Sequence, residues 1–141
     1  MVLFMIIPDG IKVYGDINFR DKKCPKEDAE LATFFNQLKK KHPELAKVAL
    51  HIKNEGVRTA KQAEKEKIKG ALLKGAVDII IPPIGFASEV KRTDHNLSKI
   101  DDEQVEYLIS NQNLGGFSCI CLGYKAVFEA LEDCLSLSNT Q

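Results

Sequence analysis

The chain is expected to fold as one α/β domain, a central mixed β-sheet flanked by helices. Three observations lead there. Its 141 residues suffice to bury a core without disulfide or metal staples. Short apolar runs at 77–81, 86–92 and 117–122 are bounded by Pro or Gly, as buried strands are. Around them lie stretches of helix-favouring composition at 24–41, 60–73, 124–135 and from 101 to the Gly115-Gly116 break.

Composition narrows the class. The 44% hydrophobic and 28% charged content is that of an ordinary soluble globular protein. Cys24, Cys119, Cys121 and Cys134 make no Cys-x-x-Cys pair and no matching His spacing, so neither a zinc site nor a disulfide scaffold is expected. Reduced thiols in a cytoplasmic protein are the expectation. The apolar run 2–7 is too short to span a membrane and lacks the basic lead-in of a signal peptide; it is taken as a strand. The net charge of zero argues against a generic polyanion binder, yet charge is unevenly spread. Residues 51–74 carry seven Lys or Arg against three Glu, and residues 101–141 carry seven acids against one Lys. The basic segment can guide a phosphate backbone, or be only a solvated helix face.

In chain order, residues 1–23 suggest a β-hairpin turning at Pro8-Asp9-Gly10, with its second strand at 11–15. The first helix is expected to begin near Cys24-Pro25, with acids early, and to run to about Lys41. Leu31, Phe34, Phe35 and Leu38 form its apolar stripe. At about 100° per residue, Glu27 falls within roughly 30° of the stripe's centre and Glu30 about 90° away. His42-Pro43 ends the helix, and 45–52 supplies a strand on which His51 is taken as a packed or edge residue. A polar loop at 92–99, with Arg92 and Lys99, is suited to a nucleic-acid backbone. After the last helix the tail from Ser136 is polar and expected to fray.

The chemistry concentrates in residues 74–94. If the runs at 77–81 and 86–92 pair as a hairpin, side-chain alternation puts Glu89 and Lys91 on one face, where Asp78 can join them. Two carboxylates in an apolar setting repel each other unless a positive group sits between them. Mg²⁺, with oxygen ligands at roughly 2.0–2.1 Å, suits such a pair. The plainer alternative is an ion pair on a hairpin with Asp78 as a turn residue.

Asp78 followed by Glu89-Val90-Lys91 resembles the Asp…(Asp/Glu)-x-Lys signature of restriction-endonuclease-like nucleases. Asn54-Glu55-Gly56-Val57-Arg58-Thr59, Lys67-Ile68-Lys69-Gly70, Gly75-Ala76-Val77-Asp78-Ile79, Glu89-Val90-Lys91-Arg92 and Gln104 follow in order. Together they resemble the virus-type replication-repair nuclease (VRR-NUC) domain, especially its small stand-alone phage and bacterial members. The likeness covers about three quarters of the chain, residues 27–130.

The resemblance implies a restriction-endonuclease-like core at 24–135, with the hairpin at 1–23 as an extension and 136–141 as a flexible tail. It implies Mg²⁺, replaceable by Mn²⁺, held by Asp78, Glu89 and the Val90 carbonyl, with Glu27 a further ligand and Glu30 in reserve. Lys91 would orient the nucleophile, and Gln104 would position water or phosphate. Arg58, Thr59, Lys67 and Lys69, with Arg92 and Lys99, would contact DNA, although each lysine alone also fits a solvated charge. The implied activity is structure-selective DNA cleavage, Holliday-junction resolvase-like, by a homodimer with no membrane partner. A flap or duplex nuclease, or a non-catalytic DNA-binding module, stays open.

Overall fold

The computed structural model describes Met5, residues 7–52 and residues 77–139. Among them, five strands form one mixed sheet: β1 (Lys12–Tyr14), β2 (Leu50–His51), β3 (Ile79–Ile81), β4 (Phe86–Lys91) and β5 (Phe117–Leu122). Their order across the sheet is β1-β5-β4-β3-β2. β1 and β4 run parallel to β5 between them, while β3 is antiparallel to both β4 and β2.

Among the described residues the helices are α1 (Glu27–Lys41), α2 (Pro43–Ala46), α3 (Asp102–Asn113) and α4 (Tyr124–Asn139); the helix expected at 60–73 lies outside them. Strand alternation sorts two cores onto the two faces of the sheet. Ile79, Ile81, Phe86, Val90, Cys119 and Cys121 pack against α1 and α4 through Phe34, Leu38, Val127 and Leu131. Ala87, Ile120 and Leu122 face the other way, against Leu108 of α3. No helix among the described residues is long and apolar enough to cross a membrane.

Local chemistry explains the connections. Pro82 and Pro83 open a 3₁₀ turn between β3 and β4, and Gly85 closes it at φ 66°. A Cβ there would lie 3.2 Å from Gly116 Cα, so strain and crowding both favour glycine. The turn sends β4 back beside β3 with Ile79 opposite Ser88.

Several boundaries differ from expectation. Helix α1 starts at Glu27, leaving Pro25 ahead of it. The stretch expected as a strand from Leu45 begins instead as α2, because Pro43 fits the first helical turn, and only Leu50–His51 pair in the sheet. Helix α4 runs on to Asn139, its apolar face continued by Leu135 against the core. Lys12–Tyr14, expected as a hairpin arm, runs parallel to β5 at the sheet edge. Most of the other expected arm lies outside the described residues.

Candidate active site

Asp78 directly precedes β3, and the β3–β4 register brings it beside Glu89 and Val90. Its backbone N–H donates to Glu89 Oε1 at 3.2 Å, and its own Oδ2 accepts the Val90 N–H at 2.9 Å. Lys91, two residues along the same face of β4, places Nζ 2.8 Å from Glu89 Oε2. Glu89 is 2% exposed and Lys91 4%, so this is an interior ion pair with a second carboxylate alongside. Hairpin pairing thus brings the three groups together as the sequence predicts.

The backbone of Val90 belongs to the same cluster. The N–H and C=O of a strand residue point to the same side. Lys91 C=O accepts the Gly123 N–H on the β5 side, so Val90 C=O, one residue back, faces the Asp78 side.

Burial sets the electrostatics. It raises the Glu89 carboxyl to about 8, with the neighbouring Asp78 charge adding to the rise and Lys91 opposing it. Burial also raises Asp78, against the hydrogen bonds it receives. At Lys91 burial works against the charge, but Glu89, Glu27 and Asp78 outweigh it and hold the ammonium above the usual lysine range. Among the described residues, Glu89, Glu27 and Asp78 all act on the one Lys91 ammonium.

These groups line a cavity of about 970 Å³ with Glu27, Lys99, Asp101 and Gln104. Glu27 accepts a hydrogen bond from Ser98 Oγ at 3.0 Å. Glu30, reserve candidate for the same role, is the more buried acid and faces elsewhere: its Oε2 accepts the Tyr124 N–H at 2.6 Å and caps α4. The angular estimate ranked their burial the wrong way. A carboxylate at a helix N-terminus is stabilised by the exposed amides, which gives Glu30 a buried partner that one-helix periodicity cannot see.

Gln104 reaches the cavity but is not wholly devoted to it. Its Oε1 accepts the Asp101 N–H at 3.1 Å, half of a capping box that starts α3. The Asp101-x-x-Gln104 spacing was a sequence signal for that role. Only the NH₂ end of the amide remains to act on the cavity.

Arg92 is not among the cavity-lining residues. Its guanidinium donates to the carbonyls of Cys24 at 2.5 Å and Pro25 at 3.2 Å, a strut between the end of β4 and the approach to α1. Much of the 92–98 loop turns inward with it: Asp94 accepts from Asp21 N–H at 3.0 Å, and His95 Nε2 lies 2.9 Å from Ile17 O. Lys99, by contrast, lines the cavity. Arg58, Thr59, Lys67 and Lys69 lie outside the described residues. Two contributors were not foreseen. Ser98 links Glu27 to the Arg92 backbone, and a stacked Phe35–His51 pair lines the cavity wall.

The donor set fits a hard divalent cation. Among the described residues no three His, Cys, Asp or Glu side chains gather as a ready cage. Mg²⁺ does not need one, since it is usually held by one or two carboxylates with water and phosphate filling the rest. Asp78, Glu89 and the Val90 carbonyl offer such a set of oxygens, and a divalent ion would favour the ionised form of the two carboxyls that burial raises. The chemistry within reach is binding a cation and a phosphate side by side, with an ammonium against both. Neither a family model, a curated protein nor a solved structure matches the chain.

Proposed function

We propose that the chain is a metal-dependent DNA endonuclease of the VRR-NUC type with a restriction-endonuclease-like core. The observation that carries this reading is the convergence of Asp78, Glu89 and Lys91 in a buried corner of one cavity. An ordinary structural ion pair needs one acid and one base. Here a second, half-buried acid sits beside the pair, and among the described residues the cation acting on it is the Lys91 already paired with Glu89, an arrangement that a bound ligand would relieve.

Asp78, Glu89 and the Val90 carbonyl would hold Mg²⁺ or Mn²⁺, with Glu27 steadied by Ser98 at the cavity wall. When bound, such an ion supplies Lewis-acid stabilisation of phosphate oxygens and lowers the pKa of water. Lys91 keeps its proton and donates hydrogen bonds to the reacting phosphate or to the attacking water. Lys99 adds positive charge where a DNA backbone would enter. The Gln104 NH₂ can hold a water or a phosphate oxygen in place. Selectivity for four-way junctions, and the homodimer whose paired sites would cut two strands, rest on the resemblance alone.

Cleavage of junction, flap and linear duplex DNA with and without Mg²⁺ tests the reading. Wild-type cleavage in Mg²⁺, with a loss of at least about 100-fold in Asp78→Ala, is the expected result. Unchanged rates in Asp78→Ala, Glu89→Ala and Lys91→Ala together remove the catalytic assignment.

A further inference from the structure

The approach to α1 carries charge that the cavity does not use. Lys22, Lys23 and Lys26 lie there, and all three are exposed. Among the described residues none of them enters an ion pair. Asp21 is the one acid between Arg20 and Lys26, and its Oδ1 accepts the Lys23 N–H at 2.9 Å.

Lysines on an exposed loop are ordinarily solvated charges. These differ because the backbone beneath them is tied down at three places. At the start of the segment, Asp21 N–H donates to Asp94 Oδ2 at 3.0 Å. In the middle, Arg92 donates to the Cys24 and Pro25 carbonyls at 2.5 and 3.2 Å, and Cys24 itself is buried. At the end, Glu27 accepts from Ser98 Oγ at 3.0 Å. All three anchors come from the loop that follows Lys91, so the lysines keep a set position relative to the site. The loss of any one anchor leaves two.

The last of these bonds places the segment at the cavity mouth. Glu27, Ser98 and Lys99 all line the cavity. Lys26 precedes Glu27 and Lys99 follows Ser98, so the Glu27–Ser98 hydrogen bond brings the two lysines to one point of the rim. Lys23 lies three residues before Lys26, at most about 11 Å back along the chain. Charge changes sign where the segment meets the cavity: Lys22, Lys23 and Lys26 stand before α1, while Glu27 and Asp28 line the wall. That order suits a polyanion outside and a cation within. A DNA strand offers such a polyanion, with one phosphate per about 3.4 Å of helix axis.

We infer that Lys22, Lys23 and Lys26 form, with Lys99, a track for the sugar-phosphate backbone of the DNA strand that enters the cavity. This rests on the nuclease reading above. Backbone contacts fix register and orientation and read no sequence. The track supplies affinity and leaves the chemical step to Asp78, Glu89 and Lys91.

The test is the salt dependence of binding, read by anisotropy of fluorescein-labelled duplex and four-way junction DNA with the full chain in EDTA. Each phosphate contact on duplex DNA contributes about 0.9 to the slope of log Kd against log salt concentration. Replacing Lys22, Lys23 and Lys26 together with Gln should lower that slope by about 2–3 and leave the melting temperature at its wild-type value. In Mg²⁺ the same variant should show KM raised about tenfold or more, with kcat little changed. A Lys39→Gln, Lys40→Gln variant removes two exposed charges about 20 Å further down α1 and should keep the wild-type slope. An unmoved slope in the triple variant, an equal fall per charge in the Lys39, Lys40 variant, or no DNA binding by the wild type overturns the track. Wild-type binding without Mg²⁺-dependent cleavage of any substrate overturns the nuclease reading instead, so the two failures are distinguishable.

Discussion

Two buried polar clusters lie at the β4 end of the sheet, and they treat their charges differently. In the 92–98 loop the charged side chains have partners: Arg92 takes two backbone carbonyls, and Asp94 takes the Asp21 and Asn96 amides with Arg20 at 3.8 Å. In the cavity, among the described residues, Asp78 and Glu89 both draw on Lys91, and Glu27 adds a third acid acting on it. Ser98 joins the two clusters, accepting from the Arg92 N–H at 3.2 Å and donating to Glu27. Charges matched one to one serve as scaffold; carboxyls crowded together and raised by burial gain from a ligand that favours their ionised form.

The comparison is broken or sharpened most strongly by one substitution on each side. Glu89→Gln keeps the shape and removes the charge. Its Mg²⁺-dependent cleavage is expected to fall at least about 100-fold, with Mg²⁺ no longer raising the melting temperature. Arg92→Ala should do the reverse, with cleavage per folded molecule retained and stability lowered by about 1–3 kcal/mol as two carbonyls lose a charged donor. Denaturant melts beside initial rates separate the two. Loss of cleavage in Arg92→Ala at unchanged stability would return Arg92 to the DNA-contacting set.

The next effect is a pH dependence carried by the cavity alone. Glu89 titrates near 4.5 when unperturbed and is raised to about 8 in the fold, first by burial and then by Asp78. A group raised on folding contributes stability below its unfolded pKa and loses it as pH climbs through the folded value. The metal-free protein should therefore lose this contribution between about pH 4.5 and about pH 8. A cation competes with the same proton, so the rise in melting temperature produced by Mg²⁺ should grow from about pH 6 to about pH 8.5. Melting curves across that range, with and without Mg²⁺, check the sign. Glu89→Gln should flatten both trends, and a Mg²⁺ effect that shrinks with pH contradicts the assignment.

What the sequence made legible follows the same division. The α/β class and the strands 86–92 and 117–122 emerged from short runs set off by Pro or Gly, because those signals are local. The convergence of Asp78, Glu89 and Lys91 was legible too, since a hairpin links residues only a turn apart. Partners far along the chain were not. Glu30 meets Tyr124 and Arg92 meets Cys24 and Pro25, contacts that depend on how α1 is laid across the sheet. A loop of Arg, Asp, His and Lys looks solvated in sequence even when its partners are distant backbone groups. Helix α2 was missed, and the strand expected at 45–52 shrank to Leu50–His51, because Pro43 fits a helical first turn.

Gln104 gives the smallest and most discriminating test, because it serves both clusters' logic at once. Its Oε1 belongs to the α3 cap and its NH₂ to the cavity. Gln104→Ala removes both, costing about 0.5–1 kcal/mol for the cap and slowing cleavage by about tenfold or less. Gln104→Glu keeps an acceptor for the Asp101 N–H, so melting should stay near wild type. It places a carboxylate where the amide NH₂ was, however, and adds an acid to a site already rich in them. Cleavage should remain as slow as in Gln104→Ala. If Gln104→Glu instead restores rate and stability together, the amide acts only through the helix cap, and Gln104 moves to the side of Arg92.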